Sequence, residues 1–152
     1  MKEKPTLNFD LTYITLVLAL ISIYVNNKVL NISMICLLVG IIITGNILVF
    51  SQEDVLKKYY NQDKRALYIT SILTHIIIPF YLIYVISKNT KFKINTKELL
   101  MIFIITNTVF YSYYMLMRMG HFGGYNLPPG VLIKYGISIV FITLTILLFI
   151  VV

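Results

Sequence analysis

Ser71-Ile72-Leu73-Thr74-His75-Ile76-Ile77-Ile78-Pro79-Phe80 lies inside an apolar run from Ala66 to Ser87. As a helix, that run is long enough to cross a bilayer core of about 30 Å. An imidazole at such a depth needs a partner or a wet cavity, so His75 is the residue to which every other polar side chain is referred. Pro79 follows one turn later and brings no backbone N–H, which predicts a bend and a carbonyl released near His75.

Composition places this run in a larger pattern. The chain has 152 residues, 59% hydrophobic and 12% charged, whereas soluble domains are about half apolar and a quarter charged. These proportions predict an all-α integral membrane protein in one domain, covering residues 1–152, with no separate soluble part. The net charge of +7 does not point to nucleic acid, because the thirteen Lys and Arg sit in connections between apolar runs.

Five apolar runs predict a bundle of five transmembrane helices at 6–25, 29–50, 66–87, 99–119 and 131–152. Met1–Lys4 resembles the head of a signal peptide. The run after it is too long for one and lacks a small-residue cleavage site, so an uncleaved first span is expected. Thr12, Thr15, Ala19 and Ser22 share one face of that span, and Cys36, Gly40 and Thr44 share one face of the second. Small residues at helical spacing are the usual packing surface of membrane helices, and that reading stands beside any functional one.

Between the second and third spans, Val55, Leu56, Tyr59 and Tyr60 share a helical face, as a short interfacial helix or a solvated loop would allow. In the third span Tyr68, Ser71 and His75 make one polar face, and in the fourth Asn107, Tyr111, Tyr114 and Arg118 make another. The blander reading of the latter is a set of interfacial tyrosines and a snorkelling arginine. Gly120–Gly130 is the only Gly/Pro-rich stretch and reads as a loop. Cys36 is the only cysteine, and two histidines without a carboxylate or thiolate cluster make no metal site, so no cofactor is expected.

Five spans put the N-terminus, the 51–65 connection and the 120–130 loop on one side. That side carries eight Lys and Arg against five, so the N-terminus is expected to be cytoplasmic and the location the plasma membrane. Counting helical rise from this side puts Thr12 and Thr15 at roughly 9–14 Å and His75 at about 14 Å. Thr44 lies near 9 Å, Tyr114 within about a turn of the surface, and Arg118 at the mouth. Asn107 falls in the opposite half. A Thr hydroxyl becomes a nucleophile only with a base in hydrogen-bond reach, and His75 is such a base near neutral pH. Thr12 or Thr15 with His75, and Arg118 or Tyr114 beside a developing oxyanion, would form a minimal acyl-hydrolase set.

Leu11-Thr12-Tyr13-Ile14 at the head of a span, Thr74-His75 before Pro79-Phe80, and Arg118 leading through Gly123-Gly124 to Tyr125-Asn126-Leu127-Pro128 occur in a familiar order. The chain resembles the androgen-induced family of intramembrane fatty-acid-ester hydrolases and its bacterial relatives. The resemblance implies Thr12 as nucleophile and His75 as its base, acting on a lipid or fatty-acid ester. Thr15, Thr44, Tyr111, Tyr114, Arg118 and Tyr125 are the candidate residues of the polar pocket around them. The chain departs from that family in lacking its first span, in the Tyr-Asn-Leu-Pro loop, and in having no Asn-His before the histidine. The alternative is a non-enzymatic membrane protein, a small transporter subunit or assembly factor, whose polar stripes only hold helices together.

Overall fold

A computed structural model of the protein describes residues 11–51, 53 and 63–118, and the side chains of all of these except 48 and 113–118. Among the described residues it is all-helical: α1 (Leu11–Val25), α2 (Lys28–Ser51), α3 (Lys64–Lys88) and α4 (Thr96–Arg118). Two of these, α2 and α3, are long and apolar enough to cross a membrane. The start of the expected first span, the 51–65 interfacial helix except at its edges, the Gly120–Gly130 loop and the expected span 131–152 lie outside the described residues.

Four of the helix ends have a local cause in the sequence. Asn26 closes α1 with φ of 50°, a left-handed conformation that asparagine tolerates better than most L-residues. Asn27 then caps α2, its side-chain oxygen accepting from the Leu30 N–H at 3.1 Å. Asp63 caps α3 by accepting from the Ala66 N–H at 2.7 Å. At the head of α4, Asn95 and Glu98 exchange hydrogen bonds: the Glu98 N–H donates to Asn95 Oδ1 at 3.0 Å, and the Asn95 N–H to Glu98 Oε2 at 2.9 Å.

The central element is α2. Residues 31–38 are buried without interruption, which is why this helix is apolar all round rather than on one stripe. On one side Met34, Ile35 and Leu38 meet Leu16 and Ala19 of α1 and Leu82 and Ile86 of α3. On the other, Ile32 and Cys36 meet Ile102 of α4. The small stripe of α1 is the packed face: Thr12, Thr15, Ala19 and Ser22 are all buried. Cys36, Gly40 and Thr44 are buried likewise. Small residues let the backbones approach, and the bulky ones point outward: Val17, Leu20 and Ile21 on α1, and Ile69, Ile72 and Phe80 on α3, are exposed.

One end of the bundle is tied by polar groups. Lys28 pairs with Glu98 and also donates to the Lys93 carbonyl at 3.1 Å. Beneath them the buried Asn31 amide donates to Thr90 Oγ1 at 3.0 Å, joining α2 to the end of α3. At the other end Tyr68 donates to Glu53 at 2.8 Å, and Lys64 pairs with the same carboxylate at 3.3 Å.

Pro79 is accommodated by widening the helix. Leu73–Ile77 form a single π turn, in which the Ile78 N–H reaches back five residues to the Leu73 carbonyl. The α-helical winding that resumes at Ile78 then has Pro79 in its first turn, where a missing N–H is tolerated. The irregularity expected around His75 is therefore a π turn with His75 at its centre.

Candidate functional site

His75 sits where α1, α2 and α3 meet. Its Nε2 is 3.1 Å from Thr12 Oγ1 on α1, a contact between residues 63 apart in sequence. Its Nδ1 is 3.0 Å from Ser71 Oγ, one turn back on α3. The third wall is Gly45 of α2. A Cβ there would stand 2.7 Å from the imidazole Cδ2, so the ring occupies the space that any larger residue would fill. Three helices thus converge on one imidazole, each through a small residue.

Local sequence sets which way each of these side chains faces on its own helix. Thr12 belongs to the small, packed face of α1, so its hydroxyl turns inward. Ser71 and His75 are four residues apart, the spacing at which helical side chains meet. Gly45 follows the buried Thr44, whose hydroxyl donates to the Gly40 carbonyl at 2.6 Å. Thr44 is therefore buried close by in sequence, but its proton is directed into its own helix.

Thr15 is one turn further along α1, with no exposed surface and no partner for its hydroxyl among the described residues. That sets it apart from most buried hydroxyls here. Ser22 donates to the Ala19 carbonyl, Ser33 to that of Val29 and Thr90 to that of Ile86. An unpaired buried hydroxyl carries a desolvation penalty of about 1–3 kcal/mol, so it is a group with capacity for a ligand.

The polar stripe of α4 is placed differently. Tyr111 is half exposed, packs edge-on against Phe110 at 5.5 Å, and lines a shallow groove with Phe103, Ile104, Asn107, Thr108 and Ser112. The Asn107 side chain donates to the Phe103 carbonyl at 2.7 Å, again within its own helix. Because α4 packs chiefly on α2, this groove is a separate feature from the imidazole. Tyr114 and Arg118 are in α4, but their side chains, like all of Tyr125, lie outside the described residues.

Two site residues were not singled out from sequence. Ser71 is visible in the sequence as part of the Tyr68–Ser71–His75 face, and its spacing from His75 is the available signal. Gly45 carried no signal beyond being a glycine in an apolar run; only the packing of α3 against α2 reveals what it leaves room for. Neither a family model, a curated protein nor a solved structure matches the chain.

Proposed function

We propose that the chain is a multi-pass membrane protein, a bundle of five transmembrane helices in the plasma membrane, whose Thr12 and His75 hydrolyse lipid or fatty-acid esters. The observation that carries this reading is the 3.1 Å approach of Thr12 Oγ1 to His75 Nε2. The membrane part is supported by two long apolar helices and by the reversal of polarity: Thr12, Thr15, Ser22, Thr44 and Ser71 are inside, while Val17, Leu20, Ile72 and Phe80 are outside.

In the reacting form the ring carries its proton on Nδ1. Nε2 then takes the Thr12 hydroxyl proton as Oγ1 bonds to the ester carbonyl carbon, and the imidazolium returns that proton to the departing alkoxide. A water molecule deprotonated by the same nitrogen attacks the acyl-threonine, releasing the acid and regenerating Thr12. Thr15, on the same face one turn away, supplies a hydroxyl proton for the oxyanion.

Purified full-length protein in micelles is expected to cleave a long-chain p-nitrophenyl ester and to label with a fluorophosphonate. Thr12→Ala and His75→Ala each abolish both signals, and the double variant is no worse than either single one, since the two residues act as a unit. Folded wild-type protein that does neither defeats the hydrolase reading.

A second reading then stands, a non-enzymatic transporter subunit or assembly factor. It is favoured by the hydroxyls of Ser22, Ser33, Thr44 and Thr90, which bond within their own helices as packing residues do.

A further inference from the structure

The proton on His75 can sit on either ring nitrogen, and the neighbours decide which. In one form Nδ1–H donates to Ser71 and Nε2 accepts from Thr12. In the other the Ser71 hydroxyl donates to Nδ1, and Nε2–H donates to Thr12. Ser71 distinguishes them. It is buried, 5% exposed, and His75 Nδ1 is its only hydrogen-bond partner among the described residues.

A buried hydroxyl has one proton and two lone pairs, and leaving the proton unused costs more than leaving a lone pair unused. At Ser22, Ser33, Thr44, Thr74 and Thr90 this proton goes to a carbonyl three or four residues back, whereas the Thr15 and Thr106 hydroxyls have no partner among the described residues. Ser71 makes no such bond. Its proton therefore goes to the ring.

We infer that Ser71 is a positioning residue that holds His75 with its proton on Nε2, so that at rest the imidazole donates to Thr12 and ties α3 to α1. This rests on the proposed hydrolysis only for its consequence. With Nε2 already protonated, the ring is not a base toward Thr12, so the site is largely latent and turns over only through the minor fraction that carries the proton on Nδ1. Hydrolysis needs the proton on Nδ1, with the Ser71 oxygen accepting. A carboxylate at position 71 would hold the ring with its proton on Nδ1, because it only accepts.

The test is 15N NMR of histidine-labelled full-length protein in micelles, above neutral pH, with His121→Gln leaving a single imidazole. The wild-type ring is expected to show a protonated Nε2 and a bare Nδ1. A proton on Nδ1 in the wild type overturns the inference.

In Ser71→Asp the proton is expected on Nδ1, and a folded Ser71→Asp protein that keeps Nδ1 bare also overturns it. Hydrolysis of the p-nitrophenyl ester separates the two proposals. Where the wild type is active, Ser71→Asp should be at least about tenfold faster, given that losing the carboxylate that sets the tautomer costs about 10⁴ in a serine protease. An active wild type with no gain in a variant whose proton has moved overturns the latency. A moved proton with no turnover in either protein leaves the role of Ser71 standing and removes the hydrolase reading.

Discussion

Gly45 leaves no room for a methyl group opposite His75: a Cβ there would lie 2.7 Å from the imidazole Cδ2 and 3.0 Å from Cγ and Nε2. A shift of the ring to make room would disturb its contact to Thr12. The absence of a side chain at position 45 is thus part of the site.

Gly45→Ala gives an unusual sign. In an ordinary helix interior the change stabilises by about 0.5–1 kcal/mol. Here overpacking against the imidazole is expected to cost about 1–3 kcal/mol, read as a lower Tm in detergent. Combining it with His75→Ala should restore part of the loss, because the two residues are in direct contact. An equal penalty with and without the imidazole would show that Gly45 serves something other than His75.

The Asn31–Thr90 pair should show the asymmetry of a buried hydrogen bond. Thr90→Val removes the acceptor of the Asn31 amide and leaves that amide unpaired, at a cost of about 1–3 kcal/mol. Adding Asn31→Leu should lessen the damage, since both polar partners are then gone. A double variant less stable than Thr90→Val by the full effect of Asn31→Leu would mean the two residues are energetically independent.

Glu98 stands at the head of α4, ahead of the apolar run that begins at Leu99. The hydrogen bond from Lys28, followed by the Asn95 backbone N–H, holds its carboxyl below the ordinary glutamate value. The folded chain therefore favours the ionised form more than the unfolded chain does. Its contribution is complete above the unfolded-state value and is lost as pH falls through the folded-state value. Thermal melts should show Glu98→Gln less stable than wild type at neutral pH, with the gap closing in acid. A gap that persists into strong acid would rule out the ion pair as its source.

Topology can be tested at the two ends of α3. Lys64 and Lys93 bracket a helix of 25 residues, which spans about 37 Å. Cysteine substituted at each is expected to label from opposite sides of the membrane, position 64 from the cytoplasm. Labelling of both from one side would overturn the transmembrane placement of α3; a reversed pattern would overturn the orientation alone.

Helix content and the inward faces were legible in the sequence because both are local properties. Side chains recur every 3.6 residues, so the Thr12–Thr15–Ala19–Ser22 and Cys36–Gly40–Thr44 stripes are visible without knowing what they touch. The capping bonds of Asn27, Asp63 and Asn95 are local as well, each reaching only three residues along the chain. Depth along a span was also a local count. It placed Thr12 near His75 in height and was silent on rotation.

Whether two helices bring particular side chains together depends on how each turns about its own axis, and that is set by packing among all of them. Leu16, Leu38 and Leu82 fix the approach of α1, α2 and α3, and the π turn at Leu73–Ile77 shifts the phase of α3 partway along. No single stretch of sequence contains that information. The tertiary structure alone therefore decided that Thr12 reaches His75, that Gly45 is the floor beneath the ring and that Tyr111 lines a separate groove. It also decided that Ser71 meets Nδ1 of the same ring, a contact that helical spacing permits without requiring.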